Sequence, residues 1–185
     1  MSMENIEHEE LSEILNRING WIENCDSKVS TILSGLGVFA GILLATDYVS
    51  KFIEICRFMC EKITALTVLY LFITSLSICL LLYGVFLFIR VLFAKIDIHE
   101  FESRGVKKDS LIFFASIAQN TTLKKYREKL RKCSAEKMSD DIISQIYICS
   151  LICDKKFSLY KKGLICSIVG FCVFAVMLII GVAFT

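Results

Sequence analysis

The chain contains no proline, and its only two histidines are His8 and His99. It also has three long stretches without a single charged residue: Val29–Thr46 (18 residues), Ile63–Ile89 (27) and Gly163–Thr185 (23). Each absence excludes something. Without proline, no helix is broken or kinked by a missing backbone donor. With two histidines, neither at a zinc-like spacing from a cysteine pair, a His/Cys metal centre has no ligand set. Uncharged runs near 20 residues are what a bilayer's hydrocarbon core requires, so all three read as membrane spans. They contain no Asp, Glu, Lys, Arg or His, which removes the intramembrane ionisable groups that ion pumps and proton-coupled transporters use. Phosphate-binding, metalloprotease, nucleophile-elbow and dinucleotide fingerprints are missing, and Gly35-Leu-Gly37 lies within a span where it cannot cradle phosphate. The expectation is a protein that is not an enzyme and has no metal or cofactor.

What is present is apolar residue and helical periodicity. Of 185 residues, 55% are hydrophobic and mean hydropathy is +0.62. The reading is an all-α membrane protein, with three transmembrane helices whose cytoplasmic extensions form a helical bundle. Lys and Arg number 2 in residues 1–28, 3 in 47–62 and 16 in 90–162. The positive-inside rule therefore predicts a cytoplasmic N-terminus and a cytoplasmic 90–162 segment, with residues 47–62 as an external loop. The first 28 residues carry seven acids and lack the basic start of a cleavable signal, so span 29–46 is expected to be retained. Spans 63–89 and 163–185 complete the topology. The nine cysteines are divided among the segments and suggest no disulfide framework.

Leu11, Ile14, Leu15, Ile18, Trp21, Ile22, Cys25, Val29 and Ile32 recur every three or four residues, predicting one helix from near Glu9 into the first span. Inside that span Gly37, Gly41 and Ala45 repeat at small-xxx-small spacing, a candidate helix-packing face. Thr74, Ser75 and Ser77 place hydroxyls in the second span, either to line a water path or to bond back onto helix carbonyls. In segment 90–162, Arg104-Gly105 is expected to break the chain. Asp109 or Ser110 should cap a helix over Leu111–Ala118, Asn120 or Thr121 the next, and Ser139 a third. Leu123, Tyr126, Leu130 and Cys133 should share one face of the second of these. The third should run from about Asp140 to the C-terminus, with Ile142, Ile146, Cys149, Cys153 and Tyr160 following a heptad.

Short motifs occur in a fixed order. Asp26-Ser-Lys28 precedes the first span. Phe113-Phe114-Ala-Ser-Ile117, Lys125-Tyr126, Asp141-x-x-x-Gln145-Ile146-Tyr147 and Lys155-Lys156-Phe157-x-x-Tyr160 follow in the cytoplasmic part. In this order and with this hydropathy profile the chain resembles the Pycsar transmembrane effectors of bacterial anti-phage defence, over about residues 10–180. It departs from them in having Lys156-Phe157 where a Lys-Tyr pair is expected. The resemblance implies that a partner cyclase makes cyclic CMP or cyclic UMP on infection. The effector would sense this messenger, oligomerise or rearrange, and impair the inner membrane.

A cyclic mononucleotide needs a cation for its phosphate and an aromatic or amide group for its base. Asp26, Lys28, Phe114, Lys125, Tyr126, Arg127, Gln145, Lys155, Lys156 and Tyr160 are the ligand-binding candidates on that footing. Gly37, Gly41, Ala45, Thr74 and Ser77 are the packing or pore candidates. Bland readings compete with these: Lys155, Lys156, Lys161 and Lys162 flank a span and can snorkel to headgroups, and the phenylalanines can be bundle core. The partners expected are the lipid bilayer, the cyclic nucleotide and further copies of the chain, with no nucleic acid. A rival reading is a non-signalling anchor whose basic bundle holds a protein or anionic lipid.

Overall fold

The computed structural model describes residues 8–45, 48–61, 64–93 and 110–184. Arg104-Gly105, Asp109 and His99 lie outside the described residues, as does the Ala94–Lys95 end of the second span's extension. Six helices account for 92% of the described residues, which contain no strand. They are α1 (His8–Ala45), α2 (Tyr48–Glu61), α3 (Ala65–Leu92), α4 (Phe114–Ala118), α5 (Leu123–Arg131) and α6 (Ala135–Phe184). Three of them, α1, α3 and α6, are long and apolar enough to cross a membrane. At about 1.5 Å per residue, the 38 residues of α1 and 50 of α6 reach about 57 and 75 Å. Both therefore outrun a hydrocarbon core of about 30 Å. The segment predicted as an external loop is largely helical, formed by α2.

The chain divides into two compact units: Met1–Asn24 with Ala94–Lys156, and Cys25–Phe93 with Phe157–Thr185. Helices α1 and α6 each contribute residues to both.

The second unit holds the three apolar spans and is organised by a seam between α3 and α6. On α3 the buried residues are Tyr70, Thr74, Ser77, Gly84, Leu87, Phe88 and Val91. On α6 they include Gly163, Ser167, Gly170, Met177 and Gly181. Successive members sit mostly three, four or seven apart, the repeat that keeps one helix face against a neighbour. Many are small because lipid tails are as apolar as the side chains. Association must then come from close van der Waals approach rather than from escape from water. At Gly84 a methyl group would stand 2.9 Å from the Ser167 backbone nitrogen and 3.0 Å from the Gly163 carbonyl oxygen. At Gly170 it would stand 2.8 Å from the Leu81 nitrogen and 3.0 Å from the Ser77 oxygen. The backbones are too close to admit even alanine without movement.

Two apolar clusters close this unit. Cys25, Val29, Phe88 and Val91 are almost fully buried, with Ile32, Leu36, Leu159, Tyr160 and Leu164 packed around them from α1, α3 and α6. Ile55 of α2 joins Tyr70 and Met177 in the other, where the Tyr70 hydroxyl donates to the Met177 carbonyl at 2.9 Å. The edge-on pair Phe39–Phe171 (5.5 Å between centroids) adds an α1–α6 contact.

The small residues of α1 are placed differently. Around Gly35, Gly37 and Gly41 an added methyl group would meet nothing within 4 Å, and Ala45 is exposed. The glycines that bring helices together within the chain are those of α3 and α6, not the Gly37/Gly41/Ala45 set. Thr74 and Ser77 are buried in that seam. Their hydroxyls donate back to the carbonyls of Tyr70 (2.9 Å) and Thr74 (2.7 Å).

Candidate functional site

In the other unit, Ser110–Phe113 is stitched to two helices through the peptide groups of one residue. Ser110 Oγ accepts from the amides of Ile112 (3.2 Å) and Phe113 (2.9 Å), folding the segment into a tight turn. The turn presents Leu111, whose amide donates to the Asp141 carboxylate on α6 at 2.7 Å. The Leu111 carbonyl accepts from the Tyr126 hydroxyl on α5 at 2.8 Å. Both backbone polar groups of the largely buried Leu111 are thereby satisfied, as burial demands. Charge-assisted hydrogen bonds of the Asp141 kind are the stronger class.

This arrangement corrects several expected caps. Asp141 is not a first-turn acid of its own helix, because α6 begins at Ala135, five residues before Asp140. Ser134 opens it, Oγ accepting from the Lys137 amide at 3.2 Å, so Ser139 is not its cap. Helix α5 is capped by Thr122, whose hydroxyl accepts from the Lys125 amide at 3.3 Å. Asn120 instead closes α4, its side-chain amide donating to the carbonyls of Ser116 (3.1 Å) and Ile117 (3.0 Å). Helix α4 starts at Phe114 rather than Leu111 because Ser110 holds the intervening residues in a turn. Leu123 lies on the same face of α5 as Tyr126 and Leu130, but it is 70% exposed whereas those two are half-buried.

The ligand-binding candidates are divided between the units. Lys125 and Arg127 are exposed on α5, with Tyr126 half-buried between them and its hydroxyl engaged by Leu111. Phe114 is exposed, its ring 4.8 Å from that of Phe113. Gln145 is buried on α6 beside Ile142 and Ile148 in sequence. Lys155 is exposed, whereas Lys156 is only 5% exposed. A lysine snorkelling to headgroups keeps its head in water, so Lys156 departs from that reading, and a buried ammonium demands a compensating partner. In the unit of the spans, Asp26 is half-buried, Lys28 exposed, and Tyr160 packs in the cluster around Val29 with its ring 6.2 Å from Phe88.

Cys149 and Cys153 lie one turn apart on α6. Burial pushes both thiols up from the ordinary range; at Cys149 the neighbouring Cys153 adds to the shift, and at Cys153 Asp154 does. The shift favours the protonated thiol over the nucleophilic thiolate at both. Among the described residues no group of three His, Cys, Asp or Glu is disposed to hold a metal ion.

Two functional features escaped the motif reading. The Asp141–Leu111–Tyr126 connection joins residues far apart in sequence, and no spacing rule signals it. The α3–α6 seam did leave a signal, since Ser77 and Gly84 in the second apolar run, and Gly163 and Gly170 in the third, are each seven residues apart.

Comparison with known proteins agrees with this architecture. A family model described as the Pycsar effector protein domain matches residues 10–183. The Pycsar effector protein GmPycTM of Gulbenkiania mobilis is 32% identical over 167 residues, covering 84% of this chain and 83% of its own. No solved structure gives a significant match.

Proposed function

The chain belongs to the Pycsar effector family, and from that premise we propose that it senses a cyclic pyrimidine mononucleotide and responds by impairing the bacterial inner membrane. As a Pycsar transmembrane effector it acts in anti-phage defence. The messenger, made by a partner cyclase as cyclic CMP or cyclic UMP, engages the cytoplasmic helical region.

The observation that carries this reading is helical continuity. Helix α6 passes without a break from the Asp141-Gln145-Lys155-Lys156 region into the third apolar run, and α1 does the same across Asp26-Ser-Lys28 into the first. A ligand that binds two arrangements of these helices with different affinity shifts their population, and a helix that runs on into an apolar segment is a route for that shift to reach the bilayer. Lys125, Arg127 and Lys156 supply cationic charge of the kind a cyclic phosphate needs, and Gln145 an amide able to read a pyrimidine edge. The open Gly37/Gly41/Ala45 face of α1 provides room for close approach by another copy, through which a leak develops. Residues 1–28 and 90–162 face the cytoplasm in this reading.

The test is dye release from liposomes carrying the purified protein, with cyclic CMP, cyclic UMP, cyclic AMP and cyclic GMP added separately. Release with one pyrimidine nucleotide alone is the expected result. Folded, inserted protein that releases dye with none of them overturns the proposal.

A further inference from the structure

Among the described residues outside the apolar runs, the most exposed large hydrophobic side chains are Phe114 (75%), Phe93 (73%) and Leu123 (70%). Two of these flank the connection between α4 and α5, and Phe113, in ring contact with Phe114, is itself 39% exposed. The same short stretch concentrates positive charge. From Leu123 to Lys132 the chain carries Lys124, Lys125, Arg127, Lys129, Arg131 and Lys132 against the single acid Glu128, and all six cations are exposed. A helix serving only as part of a soluble bundle would turn its apolar first residue inward. Here Tyr126 and Leu130 of α5 are half-buried, with the Tyr126 hydroxyl bonded to Leu111, while Leu123, at the start of the helix on the same face, is left exposed.

Exposed aromatic and aliphatic groups interspersed with a dense cationic surface match one kind of surface in both respects. An anionic bilayer attracts the cations at its headgroups and accepts apolar side chains at the acyl boundary. A free phosphate ligand would satisfy the cations and leave the apolar groups in water. The module is also tethered in sequence between two membrane spans, which raises its effective concentration at the bilayer. From this juxtaposition we propose that the α4–α5 module is a peripheral docking element that seats Phe113, Phe114 and Leu123 into the anionic cytoplasmic leaflet. The inference rests on the cytoplasmic placement of residues 90–162 and on no property of the nucleotide.

Docking gives the cytoplasmic part a lipid-dependent resting position. The Leu111 connections carry the state of this element to α6, because Asp141 of α6 holds the amide and Tyr126 of α5 the carbonyl of the same residue.

The experiment uses full-length protein in nanodiscs, with Leu123→Trp as reporter in a Trp21→Phe background. Nanodiscs of phosphatidylcholine are compared with nanodiscs containing phosphatidylglycerol, each with brominated acyl chains as quencher. Blue-shifted, strongly quenched emission is expected in the anionic bilayer only. It should be lost at about 1 M salt, where the Debye length is about 3 Å, and in the triple variant Lys124→Gln/Arg131→Gln/Lys132→Gln. Amide exchange over Leu123–Arg131 in the unsubstituted protein, slowed by anionic lipid, gives a second reading free of the reporter. Emission and exchange indifferent to lipid charge overturn the proposal and leave the patch to a protein partner. Because no nucleotide is added and no leak is measured, this result is separate from success or failure of the liposome assay.

Discussion

The Tyr70 hydroxyl donates to the Met177 carbonyl at 2.9 Å across the α3–α6 seam, in a place that Gly181 leaves open. A methyl group on Gly181 would run into that hydroxyl and stand 2.9 Å from Ile55 Cγ2. One tyrosine thus joins α3 to α6, and one glycine makes room for it beside α2. Tyr70→Phe keeps the ring and removes the bond. Interhelical hydrogen bonds in membranes average about 0.6 kcal/mol and reach about 1.7. A loss in that range is expected, read by detergent-induced unfolding of the reconstituted protein.

The two sets of glycines should respond in opposite ways. Gly84→Ala and Gly170→Ala push backbone against backbone, and overpacking of this kind costs about 1–3 kcal/mol. A methyl group at Gly41 meets nothing within 4 Å in the chain, so Gly41→Leu should leave unfolding unchanged. If the α1 face mediates assembly, the same substitution abolishes nucleotide-dependent leakage. Full leakage from the Gly41→Leu protein would remove that face from the mechanism.

Asp141→Ala strands the Leu111 amide in a largely buried position. Hydrogen bonds to charged groups contribute about 1.5–3 kcal/mol, so protection of the Leu111 and Phe113 amides should fall markedly. Asp141→Asn retains an acceptor and should lose less. Tyr126→Phe releases the carbonyl of the same residue, and in combination with Asp141→Ala its effect should be less than additive, since both act on Leu111.

Thr122→Ala removes the cap of a nine-residue helix. Caps of this type are worth about 1 kcal/mol, enough to fray α5 selectively. Hydrogen exchange should rise over Lys124–Arg127 and stay unchanged in α6; a change spread through α6 would argue that the two do not unfold separately.

The thiols of Cys149 and Cys153 are raised by burial, so the folded chain favours their protonated forms. Their contribution to stability is intact below the ordinary thiol pKa of about 8.5 and declines as pH climbs through the raised values. In a variant retaining Cys149 alone, alkylation near pH 8 should be much slower in folded than in unfolded protein. Equal rates would show the site to be open.

Much of this architecture was legible in the residues. Uncharged runs fix three spans because lipid tolerates neither charge nor unpaired backbone, and a 3–4 apolar repeat without proline makes α1 and α6 continuous. The ordered short motifs around Asp26, Phe113, Lys125, Gln145 and Lys156 disclosed the family. Local sequence did not determine which small residues bring helices together. Gly37/Gly41/Ala45 and the Gly84/Gly163/Gly170/Gly181 set look equally suitable. Only the pairing of α3 with α6 decides that the latter are the close contacts, because that choice depends on which faces meet.

The caps were lost for a related reason. Ser, Thr, Asn and Asp cluster between residues 109 and 141, and each is a competent cap by its own chemistry. Tertiary structure assigns Asp141 to the Leu111 amide, Asn120 to the end of α4, and Thr122 and Ser134 to the helix starts. Composition and periodicity determine that this chain is a helical membrane protein, since those follow from solvation of each segment. The partners of Leu111, Tyr70 and Gly84 are decided by contacts between segments distant in sequence, and only the assembled fold brings those into reach.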